Sequence, residues 1–205
     1  MLRILKKVYL EGRTHILIFL VIIFVIGIIF GAVAVSRLQP SLNRNLYNTF
    51  SSFISSYDSI NYENSVLINE LAAVYYSSLL IIWLLGLSVV VMPLIPCWIL
   101  IKGFAFGFSI AFLTRYFQLK GVLLSILGLL PQNLISIPVY IMAGVIAISF
   151  SLRVIGYFRG RNQLSLVDFI DYSLKMLLLG IILFVSILLE VFVSPFLFEK
   201  ILQFF

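Results

Sequence analysis

The feature that most constrains this chain is the run Ile16–Val35, twenty consecutive apolar residues with no charged or hydrogen-bonding side chain. A helix of that length rises roughly 30 Å, the thickness of the hydrocarbon core of a bilayer. The run lacks a small-residue cleavage site after it and is long enough to span, so it reads as a retained anchor and not a removed signal peptide. Composition extends the same argument to the whole chain. Of its 205 residues 62% are hydrophobic and 11% charged, with a mean hydropathy of +1.18, whereas soluble domains sit near 45–50% and about 25%. The expected fold class is all-α, a polytopic helical bundle in a membrane. A β-barrel would need short alternating segments, and none are visible.

Charge orders the spans. Arg3, Lys6, Lys7 and Arg13 stand against the lone Glu11 before the first span, so residues 1–15 form a cytoplasmic basic segment by the positive-inside rule. The net charge of +6 is accounted for beside the spans and does not call for nucleic acid. Span one is expected over His15–Val35. Residues 36–70 form the long polar stretch and carry no basic excess, which suits the outer side. Within them Leu42, Leu46, Phe50, Phe53, Tyr57 and Ile60 recur at helical spacing, giving an amphipathic helix on the outer leaflet. Its aromatic face, Phe50, Phe53 and Tyr57, also offers a docking surface for a partner.

Span two is expected from about Leu71 to Val91, followed by a tight turn at Pro93 and Pro96. Span three runs from about Cys97 to Thr114. Lys102 lies roughly 7–8 Å inside its start by helix rise, within snorkelling reach of the interface. Two glycine pairs at four-residue spacing, Gly27 with Gly31 and Gly103 with Gly107, would allow another helix to approach closely. Gly121–Ser151 is longer than one span and contains Leu129-Leu-Pro-Gln-Asn-Leu-Ile-Ser-Ile-Pro138. Pro131 and Pro138 each remove a backbone donor and disturb the carbonyl one turn earlier. Gln132 and Asn133 bring amides into apolar surroundings. A broken or re-entrant segment turning at 131–133 is expected, since irregular backbone survives in a bilayer only where protein or a wet cavity covers it. Residues 153–175 are again basic and read as a cytoplasmic loop, with Ser165 and Asp168 spaced as a capping box. Span five runs from about Met176 to Phe196, which places the carboxyl terminus outside.

Chemistry is sparse. One histidine, His15, and one cysteine, Cys97, leave no HExxH site and no disulfide framework; GxSxG, Walker and GxGxxG patterns are absent from the sequence. No catalytic, cofactor or metal residue is therefore assigned. Glu190 stands out, because a carboxylate at the centre of a span costs on the order of 2.5–3.5 kcal/mol on insertion scales. Span depths separate it from Lys102 by roughly 13 Å of a ~30 Å core, which argues against a direct pair. A buried hydrogen-bonded cluster of Glu190, Gln132 and Asn133 is the expectation, with an ion path through Glu190 and Asn133 as the functional alternative.

The Leu129–Pro138 run, Ala147-Ile-Ser-Phe-Ser-Leu-Arg153, Ile101-Lys-Gly-Phe-Ala-Phe-Gly-Phe108 and the ending Leu189-Glu-Val-Phe-Val-Ser-Pro195 together resemble the stage II sporulation protein M family. The resemblance covers nearly the whole chain. It implies a non-enzymatic multi-pass protein of the bacterial cell membrane, acting at the mother-cell septal and engulfing membrane during sporulation. Its implied partners are membrane lipid and the peptidoglycan hydrolases named stage II sporulation proteins D and P. No cofactor is implied, and homo-oligomers are compatible with the plan.

Overall fold

A computed structural model describes residues 2–37, 48, 52, 64–160 and 165–193. Among them the regular structure is entirely helical, and five helices are long and apolar enough to cross a membrane. They are α1 (Leu2–Ser36), α2 (Asn64–Leu87), α3 (Leu94–Leu124), α4 (Leu130–Phe158) and α5 (Leu166–Leu188). Two π-helical segments complete the order, Ser125–Leu129 leading into α4 and Leu189–Val193 continuing α5.

Side-chain and backbone contacts fix the directions of the helices. Gly27 faces Leu100 and Gly103, and Gly31 faces Phe104 and Phe108, so α1 and α3 run parallel. Tyr140 reaches Tyr75 and Ser151 reaches Gly86, so α2 and α4 are also parallel to each other. Arg153 meets Asp168 and Phe150 stacks on Tyr172, so α5 runs against α4. The five described helices thus alternate in direction. The fourth span, Gly121–Phe158, which contains α4, is the central one: 61% of its apolar stretch is buried, against 22–33% in the other four. Ile22, Ile29 and Phe30 on α1, and Leu177, Leu178 and Ile181 on α5, point outward. Apolar surface this extensive has no place in water and forms the lipid-facing shell.

The two glycine pairs pack on one another. A Cβ on Gly27, Gly31, Gly103 or Gly107 would lie 2.1–2.4 Å from a backbone carbonyl oxygen of the facing helix. Lipid tails give helices no hydrophobic reason to associate, so close backbone contact through small residues carries the association. At its far end α1 is tied down by Arg115, whose Nη1 donates to Val35 O at 3.1 Å.

The long fourth apolar segment departs from the expected plan. The chain does not turn at 131–133. It reverses at Gln118, whose φ of 48° and ψ of −125° interrupt α3. A positive φ in a residue with a Cβ is uncommon and strained, and here it closes a helical hairpin. Gly121 sits so close to the other arm that a Cβ would lie 1.8 Å from Leu113 O. Beyond the hairpin one long helix runs through Pro131 and Pro138, altered only at Ser125–Leu129. The reason is in the proline's reach. Pro131 lacks an N–H and its ring clashes with the carbonyl four residues back, Leu127, so the adjustment falls one turn upstream as a widened π turn. Pro138 is carried inside α4 without such widening.

Other boundaries shift for local reasons. Pro93 is the N-cap of α3, and Pro96 lies in its first turn, where backbone N–H groups have no helical partner to lose. The turn expected there occupies residues 88–93. α2 starts at Asn64, so residues 64–70 are helical and continuous with the second span. α4 ends at Arg159 and Gly160, the latter with φ +67°, a left-handed C-terminal stop. The capping box at Ser165 is present, with Asp168 Oδ2 accepting from the Ser165 backbone N–H at 3.1 Å and from its hydroxyl at 3.2 Å. α5 then runs into the span without a break. Arg153 pairs with Asp168 at 2.7 Å across the α4–α5 connection, and Lys175 pairs with Asp171.

Candidate functional site: a polar cavity inside the bundle

The buried polar groups gather on α4 and on the helices around it. Gln132, Ser136 and Ser151 of α4, Ser78 of α2, Ser186 of α5 and Ser125 of the first π turn are each at most 4% exposed. Some do purely local work. Gln132 Nε2 donates to Gly128 O at 2.6 Å and Asn133 Nδ2 to Leu129 O at 2.7 Å, each reaching one turn back into the widened segment. The amides thereby supply donors to carbonyls where the backbone ladder is disturbed. Ser151 Oγ donates to Gly86 O at 2.6 Å, and the Tyr172 hydroxyl to Trp83 O at 2.8 Å. These bonds join α2 to α4 and α5.

Between α2, α3, α4 and the second π turn lies a cavity of about 440 Å³. Its polar lining is Tyr75, Lys102, Ser109, Asn133, Ser136, Tyr140 and Glu190; its apolar walls include Phe24, Ile99, Phe106 and Ile141. Tyr75 donates its hydroxyl to Glu190 Oε2 at 2.6 Å. Lys102 Nζ donates to Ser78 Oγ at 2.7 Å and sits 4.9 Å from the centre of the Tyr140 ring, a cation–π distance. The Tyr75 and Tyr140 rings stack at 6.5 Å, and the Tyr140 hydroxyl donates to Tyr75 O at 3.2 Å. Ser136 makes a long contact of 3.4 Å to Asn133 Oδ1. Both π turns deliver residues to this space, Leu129 from the first and Glu190 from the second.

The cavity revises several expectations. Glu190 is not bonded to Gln132 or Asn133; its partner is Tyr75. Gln132 lies away from the cavity lining, occupied with its own helix, while Asn133 and Glu190 do share the cavity. Lys102 does not snorkel to the membrane edge. α3 begins at Leu94, which puts Lys102 about 12 Å into the helix by rise, and its amine turns inward to Ser78. Lys102 and Glu190 make no direct pair, in agreement with the separation in depth, yet they share a cavity. Each is held by a neutral hydroxyl. Phe50, Phe53 and Tyr57, the expected docking residues, lie outside the described residues.

Tyr75, Ser78, Ser136 and Tyr140 were not singled out from the sequence. Tyr75, Ser78 and Ile82 follow helical spacing along the buried face of α2, and that periodicity was the available signal.

A family model described as Stage II sporulation protein M matches residues 20–195. The chain belongs to the stage II sporulation protein M family. The match extends from the first span through the second π turn, so it takes in the glycine-packed pair of helices and every residue lining the cavity. No curated protein and no solved structure matches the chain. Family and fold together make it a sporulation-related, multi-pass membrane protein.

Proposed function

We propose that this chain is a non-enzymatic membrane scaffold of the engulfment machinery. In this reading it anchors and localises the peptidoglycan hydrolases, stage II sporulation proteins D and P, at the septal and engulfing membrane of the mother cell. The observation that carries the proposal is the family match over residues 20–195, which spans the bundle and is not confined to one helix. The amino terminus is cytoplasmic in this scheme, with the polar stretch around residues 36–63 facing the wall. The aromatic periodicity of Phe50, Phe53 and Tyr57 in the sequence supports that stretch as the contact surface.

The test is a tagged pull-down from sporulating cells with the hydrolases as readout. Charged or alanine substitutions at Phe50 and Phe53 are expected to weaken co-purification while membrane insertion stays normal. Unchanged co-purification would move the contact into the spans, and absence of the hydrolases from the wild-type pull-down would refute the scaffold.

A second reading, a small transporter or channel subunit, is favoured by one observation: Lys102, Asn133 and Glu190 line a single cavity. Solute or proton flux in proteoliposomes, abolished by Glu190→Gln, would promote it over the scaffold.

A further inference from the structure

The cavity holds one acid and one base, and they are not paired with each other. Glu190 engages Tyr75 through Oε2, and Lys102 engages Ser78 through one of its three N–H donors. A carboxylate can accept several hydrogen bonds and an ammonium can donate three, and both side chains line the cavity. An ion pair held only for stability would close this gap, because each charge in a bilayer interior is expensive when it stands apart. An acidic and a basic group kept apart around one cavity can instead receive a molecule carrying both signs. We propose that the cavity binds a small zwitterion, with its ammonium group at Glu190 and its carboxylate or phosphate at Lys102.

The rest of the lining fits that chemistry. The Tyr140 ring already holds a cation at its face, and Asn133 and Ser136 supply neutral polar atoms. Phe24, Phe106 and Ile141 form an apolar wall for a short hydrocarbon portion. Two sources carry the required pair of groups: a free amino acid, and the headgroup of phosphatidylethanolamine. The inference rests on the cavity alone and holds whether the protein is a scaffold or a carrier.

Purified full-length protein in nanodiscs separates the sources. In one arm, native mass spectrometry follows lipid retained from equal mixtures of phosphatidylethanolamine and phosphatidylglycerol, the second lacking an ammonium group. In the other, calorimetry in phosphatidylglycerol discs follows glycine and alanine, with acetate and ethylamine as single-charge controls. The expected result is a preference of about tenfold or more for the zwitterion in one arm, the scale of one charge-assisted hydrogen bond. Glu190→Gln and Lys102→Met should each abolish that preference. Equal retention of the two lipids together with no amino-acid binding overturns the proposal, and this comparison needs only the wild-type protein. A wild-type preference that survives both substitutions in folded, monodisperse protein overturns it as well. Binding without flux leaves the transporter reading unsupported while the site stands.

Discussion

Replacing Gly31 by alanine tests whether the α1–α3 contact is a backbone-to-backbone fit. The added Cβ would lie 2.1 Å from Phe104 O, where an ordinary contact begins near 3.4 Å. The obstacle is a carbonyl oxygen, so no side-chain rotation relieves it; the helices must separate locally by roughly 1 Å, and overpacking of this kind costs about 1–3 kcal/mol. Alanine also favours helix over glycine by about 1 kcal/mol, which opposes the steric term. Gly128→Ala is the internal control, because a Cβ there meets nothing within 4 Å. Gly31 lies in α1 and Gly128 in the first π turn, and the added methyl meets an obstacle only at Gly31, so most of the difference between them is the steric cost. On the scale of soluble proteins of this size, about 2–4 °C per kcal/mol, Gly31→Ala should melt about 2–12 °C below Gly128→Ala. Size-exclusion chromatography of heated detergent samples reads the midpoint. Equal midpoints would refute the packing argument.

Four more outcomes follow from the same geometry. Tyr75→Phe removes the donor to Glu190 and should lower stability by about 1–3 kcal/mol, with a double-mutant cycle between Tyr75 and Glu190 showing clear coupling. The matching cycle between Asn133 and Glu190 should show much less, because Asn133 serves Leu129 O instead; larger coupling there would restore the cluster expected from the sequence. Ser151→Ala breaks an interhelical bond to Gly86 O and should cost about 0.6 kcal/mol and no more than about 1.7, the average and the largest value for such bonds in a membrane protein. Gly121→Ala should impair the Gln118 hairpin more than any glycine substitution between α1 and α3, because its clash with Leu113 O is closer, and protease accessibility near Gln118 reads the damage.

What the sequence disclosed, and what it concealed, follows from the reach of each interaction. The four glycines were visible because their spacing is a property of a single helix. Their mutual partnership was not, because spacing says nothing about which helix arrives. Length and hydropathy disclosed the helices that are long and apolar enough to cross a membrane. The effect of Pro131 was visible in kind but misplaced by a turn, since its clash falls on residue 127 and the widening on Ser125–Leu129. Gln132 and Asn133 satisfy carbonyls four residues back, a local bond that this offset also explains.

The cavity was the least legible part, for a geometric reason. Counting residues gives depth along a span with an error of a turn or more, and it gives no rotation about the axis. Lys102 and Glu190 were separated on depth alone. A helix start three residues earlier at Leu94, and a π turn under Glu190, were enough to bring both to one space. The tyrosines lining it carry no sequence signal beyond helical spacing, because spacing does not tell a buried tyrosine from an interfacial anchor. Tyr75 and Tyr140 are instead buried, stacked on each other and bonded to the acid and to backbone. Two buried hydroxyls with a half-buried amine and carboxyl around open space carry a desolvation cost in a membrane protein. Structural need alone would be met by closing the gap, so the space itself is the part of this fold that points to a ligand.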